Sequence, residues 1–320
     1  MTIPLNQLKS VLKKHYDVFV ASASYEKRSL SIMTAIINDI GFSHKIVSVS
    51  IPHKKLMVDN INLFKENGFI ELEIDNTNQI DTVNNIVPIV GEILSNNTKA
   101  SFLIDITTFT RQTLLILLRL LRSILTKDNE IQFLYTPAEE YSIGLPYKEK
   151  WLTQGISNVT SILGYSGIIR PSRPHHLIIL MGFEVERASS LIDAYEPSKI
   201  SIGLAGKGNS ISQEHYLLNQ QKFNELLAEF PYAESFEFSC INTLESKKNI
   251  LDQIKKYPGY NTVICPMNNK ISTISCALAA FDNNEIQLAI AIPAIYNYEN
   301  YSTPGNYCYL IEIPDLIKNT

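Results

Sequence analysis

The sequence predicts an α/β fold: two Rossmann-like parallel-sheet halves related by internal duplication. Three observations predict it. The 320-residue chain is long enough for two domains, each able to bury its own core. Short apolar runs alternate with helical patterns along its length, the signature of parallel strands joined by crossover helices. Three motifs then recur in the same order at offsets of about 155–160 residues.

The first half begins with residues 17–21 (DVFVA), apolar enough for a strand covered on both faces. Residues 29–40 carry helical periodicity, and 45–50 (KIVSVS) read as the second strand. A helix over 56–67, a strand over 69–74 and a helix over 81–95 follow. Residues 101–106 (SFLIDI) form a strand that enters a long helix at 110–125, and 131–135 (IQFLY) close the half. The second half repeats the plan, with strands at 176–181, 199–204, 235–239, 261–265 and 286–292. Helices over 187–194, 213–229, 244–256 and 271–280 lie between them, and 307–313 can add a strand.

The repeated segments match in detail. DVFVASASYEKRSLSI corresponds to HLIILMGFEVERASSLI: a strand, an aromatic, Glu, Arg and a helix. SFLIDITTFTRQTLLILLRLL corresponds to NTVICPMNNKISTISCALAAF, and IQFLYTPAEEYS to IQLAIAIPAIYNYENYS. This places a first domain at 1–142, a connector at 143–174 and a second domain at 175–320. The connector holds Pro146, Pro171, Pro174 and the only tryptophan, Trp151. Its amphipathic stretch 152–163 is expected to pack between the halves; alternatively, Trp151 stacks on a ligand.

Composition narrows the function classes. The chain is 45% hydrophobic and 19% charged, which is ordinary globular composition, with a net charge of −4 that disfavours general duplex nucleic-acid binding. No stretch reaches the ~20 apolar residues of a membrane span, and the N-terminus does not read as a secretory signal. Four cysteines without CxxC spacing suggest buried thiols in a reducing compartment rather than a metal centre. The expectation is a cytoplasmic protein with no membrane partner, no metal and no implied cofactor.

In open parallel sheets, ligands bind at the carboxyl ends of strands, where strand order reverses, and the repeated motifs fall there. The first is Ser22-Ala23-Ser24-Tyr25-Glu26-Lys27-Arg28. Hydroxyls and N–H groups before a helix suit phosphate, and Arg28 can bind it bidentately. In the other reading, Ser24 caps the helix and Glu26 pairs with Arg28. The second motif is Asp105-Ile106-Thr107-Thr108-Phe109-Thr110-Arg111. A charge such as Asp105 is costly at the end of an apolar strand without partners. Arg111 opposes the dipole of the helix it opens, and local rules often break at functional sites. The alternative is helix capping by Thr107 or Thr108.

In the second half, Asn268, Asn269 and Lys270 stand before the equivalent helix. Lys207 lies in the glycine-rich loop 203–209, which lacks Walker A spacing. Glu139 and Glu140 follow the fifth strand of the first half, while Tyr296, Tyr298 and Tyr301 follow that of the second. Carboxylates can serve as acid and base, and aromatics can stack on bases; a solvated rim is the plainer reading. His175, His176 and His215 read as structural or surface residues.

Asp-x-Thr-x-x-Thr-Arg, between an apolar strand and a helix, resembles the Asp-x-[Ser/Thr]-Gly-Gly-[Thr/Ser]-[Lys/Arg] motif of CARF domains. These are CRISPR-associated Rossmann-fold sensors of cyclic oligonucleotides, and related SAVED domains join two CARF-like units. The resemblance implies that Thr107, Thr110 and Arg111 contact a ligand, with 22–28 as the other wall. It departs at Thr108 and Phe109, where the family often has glycines, and at Cys265, taken as the counterpart of Asp105.

The leading expectation is a nucleotide-recognising protein with its ligand in a cleft between the halves, in phage defence by the resemblance. Ser22, Ser24, Tyr25, Arg28, Thr107, Thr108, Thr110, Arg111, Lys207, Asn268, Lys270 and Tyr296 are the candidate ligand residues. One alternative is a hydrolase or transferase acting on a nucleotide or sugar phosphate through Glu26, Asp105 and Glu139. Another is an interaction subunit with a protein partner in a multi-protein defence complex.

Overall fold

A computed structural model describes residues 1–145, 149–314 and 316–317; Pro146 of the predicted connector lies outside them. The chain opens with β1 (Thr2–Pro4), α1 (Leu8–Val11), β2 (His15–Ser22), α2 (Ser31–Ile36) and β3 (Gly41–Ser50). It continues through α3 (Val58–Glu66), β4 (Ile70–Ile74), α4 (Gln79–Asn96), β5 (Ser101–Asp105), α5 (Arg111–Ile124), β6 (Glu130–Tyr135) and β7 (Ala138–Tyr141). Next come β8 (Thr153–Ser166), β9 (His175–Leu180), α6 (Val185–Tyr195), β10 (Lys199–Ala205), α7 (Gln213–Glu229) and β11 (Glu234–Phe238). The last elements are α8 (Thr243–Lys255), β12 (Asn261–Pro266), α9 (Lys270–Asp282), β13 (Gln287–Tyr296), β14 (Ser302–Pro304) and β15 (Tyr307–Ile311).

Two compact units result: residues 1–144 with 298–320, and residues 145–297. The first contains a sheet in the order β1-β15-β6-β5-β2-β3-β4, the second a sheet in the order β11-β10-β9-β12-β13-β8. Numbered within each unit, the five parallel strands run 3-2-1-4-5 in both. Each unit is therefore Rossmann-like, with antiparallel additions beyond its fifth strand: β15 beside β6, and β8 beside β13. The matched topology accords with the predicted duplication.

The strand interiors explain why the apolar runs stood out. Leu177, Ile178, Ile179 and Leu180 of β9 are fully buried, as is Phe19 of β2. Helices cover both faces of such strands. α5 buries Leu114, Leu115, Leu118 and Leu121 and leaves Arg119 outside. Asn78, Thr110, Ser212, Asn242 and Asn269 cap helices α4, α5, α7, α8 and α9. All four cysteines are buried and unbridged. No helix among the described residues is long and apolar enough to cross a membrane.

The boundaries differ from the predicted ones in two places. Most of the predicted connector joins the second unit, because 153–166 form β8 against β13. The segment 298–320 groups with the first unit, because β15 inserts between β1 and β6. Both strands pair with partners distant in sequence, which local periodicity does not register.

Candidate functional site

Strand order in the first unit reverses at β2, which pairs with β3 on one side and β5 on the other. The two predicted motifs leave the carboxyl ends of β2 and β5, so the fold brings them together. Thr108 Oγ1 ties them, donating to the Ser22 carbonyl at 2.6 Å.

The first motif turns inward. Ser24 Oγ accepts the Glu26 N–H at 3.2 Å. The Arg28 guanidinium binds Glu26 Oε2 through Nε at 2.8 Å and Nη2 at 2.7 Å. Arg28 Nη1 donates to the Thr136 carbonyl beyond β6 at 3.3 Å. The Ser302 hydroxyl donates to Glu26, and Asn60 Nδ2 donates to the Ser24 carbonyl. Arg28 is only 3% exposed. Burial acts to lower its pKa, but the Glu26 carboxylate, with Tyr141 and Tyr135, raises it well above the ordinary arginine value. Arg28 is thus a cation held by an internal partner. The helix expected over 29–40 opens as a 3-10 turn (Lys27–Leu30) and continues as the six-residue α2. Ser24 caps neither.

The second motif is also densely bonded. Asp105 Oδ1 accepts the Thr107 N–H at 2.9 Å, and Thr107 Oγ1 accepts the Thr136 N–H at 3.0 Å. Asp105 is 2% exposed. Burial pushes its pKa up to about 7, against the opposing effects of Thr107 and the Arg28 charge. Thr110, rather than Thr107 or Thr108, caps α5 by accepting the Thr113 N–H at 3.1 Å. Arg111 is half-buried in the first turn of α5. Phe109 is a core residue: it lines a cavity of about 30 Å³ with Val20, Ile74 and Leu117.

Four participants escaped the sequence reading: Asn76, Ser50, Gln112 and Thr113. Asn76 Oδ1 accepts from Thr113 Oγ1 at 2.9 Å, and Asn76 Nδ2 donates to Ser50 Oγ at 2.7 Å. Gln112 Nε2 donates to the Asn76 carbonyl at 2.8 Å. The available signal was a polar turn, DNTN, after a strand.

The second unit repeats this wiring. Arg187 Nη1 binds Glu184 Oε2 at 2.6 Å, and Arg187 Nε and Nη2 donate to the Ala291 carbonyl at 3.0 and 2.6 Å. In the repeat, Thr136 and Ala291 occupy matching positions of the fifth-strand segments IQFLYT and IQLAIA. Asn268 Nδ2 donates to the Met181 carbonyl at 2.6 Å, as Thr108 does to Ser22. Asn269 caps α9 as Thr110 caps α5, and Lys270 opens α9 as Arg111 opens α5. The pairing register keeps Cys265 as the counterpart of Asp105. Ile104 lies between Val20 and Phe133 as Ile264 lies between Ile178 and Leu288, so the next residue is Asp105 in one unit and Cys265 in the other.

The remaining candidates divide between the units. Lys207, on an exposed 3-10 turn (Lys207–Asn209), belongs to the second unit with Asn268, Lys270 and Tyr296. Ser22, Ser24, Tyr25, Arg28, Thr107, Thr108, Thr110 and Arg111 belong to the first. The three proposed acid–base carboxylates do not gather at one accessible point. Glu26 is bound by Arg28 and Asp105 by Thr107, whereas Glu139 is exposed on β7. Glu140 follows it on β7, its N–H bonded to Thr303.

No protein-family model matches the sequence, and no curated protein matches it either. The site is therefore argued from its own geometry.

Proposed function

We propose that the first unit recognises a nucleotide or another phosphate-bearing small molecule at the carboxyl edge of its sheet. One observation carries the reading. Two polar loops, 22–28 and 105–111, meet where strand order reverses, joined by the Thr108–Ser22 hydrogen bond. Arg111 opens the fourteen-residue helix α5 beside them. A cation in a first turn is unfavourable beside the helix dipole alone, and an anion bound there offsets that cost. Thr108, Thr110 and Arg111 are the direct contacts in this reading; Ser24, Glu26 and Arg28 shape the loop. The likeness to CARF and SAVED domains supports a cyclic oligonucleotide and a role in phage defence.

The test is equilibrium binding of a panel of mono-, di- and cyclic oligonucleotides to the whole chain. Arg111→Ala should weaken binding by about 10- to 100-fold, the worth of a charged hydrogen bond, with unchanged thermal melting. Unaltered affinity, or unfolding of the variant, would overturn the assignment.

A second reading, an interaction subunit without a small-molecule ligand, is favoured by the Glu–Arg pairs closed upon main-chain carbonyls in both units. Its mark is capture of a defined protein partner while every nucleotide in the panel fails to bind.

A further inference from the structure

We propose that the first unit carries an aromatic subsite for a nucleobase, formed by Tyr25 and Tyr301 with Tyr141 beside Tyr301. The inference rests on the nucleotide reading above and names the part of the ligand this rim takes.

Loop 22–28 hides its polar side chains other than the exposed Lys27 and presents its aromatic one. Ser24, Glu26 and Arg28 are buried, whereas Tyr25 between them is half-exposed. The Tyr25 and Tyr301 rings meet at 5.7 Å between centroids and 72° between planes. Tyr301 and Tyr141 meet at 6.2 Å and 82°. Two perpendicular rings make a corner in which a third flat ring can stack on one and meet the edge of the other. The Arg28 guanidinium lies 5.7 Å from the Tyr141 ring centre, so the buried cation also packs against this ring.

The corner is built rather than incidental. The Tyr301 carbonyl accepts the Ser142 N–H at 3.0 Å, and the Asn300 carbonyl accepts the Ile143 N–H at 2.9 Å. Ser302 is bonded to Glu26, so both walls of the corner are tied to one buried ion pair. Tyr25 also lies three residues after Ser22, whose carbonyl holds Thr108. A base on this corner thus belongs to the same loop pair as a phosphate at Thr108–Arg111. Stacking takes any base, because every base has a π-face. The chemistry points to a nucleotide rather than a sugar phosphate or a bare polyphosphate.

The experiment measures binding of ATP, GTP and cyclic oligonucleotides beside two base-free probes, ribose 5-phosphate and tripolyphosphate. Nucleotides should bind at least about tenfold more tightly than base-free probes. Tyr25→Leu and Tyr301→Leu should each weaken nucleotide binding by about 5- to 150-fold, as expected for a lost stack. They should leave the base-free probes unchanged, and Tyr25→Phe should retain wild-type affinity. Equal binding of base-free probes, or indifference to Tyr25→Leu with Arg111→Ala still disabling, overturns the aromatic subsite and leaves the phosphate reading standing. Failure of every probe overturns both.

Discussion

The two units share a wiring diagram but differ at the loop after their fourth strand. From Ile104, paired with Val20 and Phe133, the first unit takes six residues to reach its cap at Thr110; from Ile264, paired with Ile178 and Leu288, the second takes five to reach Asn269. The shorter loop presses on its neighbour: a Cβ built at Gly182 would lie 2.2 Å from the Met267 carbonyl oxygen. The first unit has Ser24 at the corresponding position. Its longer loop accommodates three threonines and Asp105, where the second closes with Asn268 and Asn269 on main-chain carbonyls. Duplicated scaffolds thus keep their anchors and vary their loops, and the polar elaboration marks the unit in which ligand chemistry belongs.

The shared anchors offer the strongest test. Arg28→Ala and Arg187→Ala each strand a buried carboxylate. Each should destabilise its own unit by about 3–5 kcal/mol, read by chemical denaturation with probes in each unit. A large loss in one and none in the other would break the equivalence of the two ion pairs.

Asp105 has no acidic counterpart in the second unit and should make the first unit pH-sensitive. Its carboxyl titrates near 7 when folded but in the ordinary range, about 3.9, when unfolded. Between these values the folded state holds the extra proton. Its contribution is therefore fully present below about pH 4 and is lost as the pH rises through about 7. Asp105→Asn should remove this dependence and gain up to about 4 kcal/mol above pH 7. Denaturation of both proteins from pH 4 to 8 checks it, and parallel curves would refute it.

Gly182→Ala should cost the second unit about 2–3 kcal/mol through backbone overlap, while Ser24→Ala in the first should cost only about 1 kcal/mol, the worth of its hydrogen bond from the Glu26 N–H. Comparable losses would remove the inference that loop length separates the two switch points.

Much of this was legible in the sequence, for definite reasons. β9 and β12 are apolar on both faces, and α7 carries its Ser212 cap in sequence, so the parallel core emerged from local pattern. β8 did not, because its 153–166 segment alternates irregularly and includes Gly155 and Gly164 at positive φ. Whether Glu26 and Arg28 serve a ligand or each other was open from spacing alone. The answer depends on the Thr136 carbonyl, 108 residues away. The recurrence of Glu184 and Arg187 was the clue that both pairs are structural. Asn76 was invisible because its partners, Ser50 and Thr113, meet it only across the folded sheet.

The placement of β15 has a consequence for biosynthesis. That strand lies between β1 and β6, and the Met1 ammonium donates to the Leu310 carbonyl at 3.0 Å. The ribosome delivers residues 307–311 only after all of 145–297. The second unit can therefore finish folding while the nascent first unit still waits with the flank of β6 uncovered. The half that begins first is completed last, and its exposed flank is where a chaperone would find work during translation.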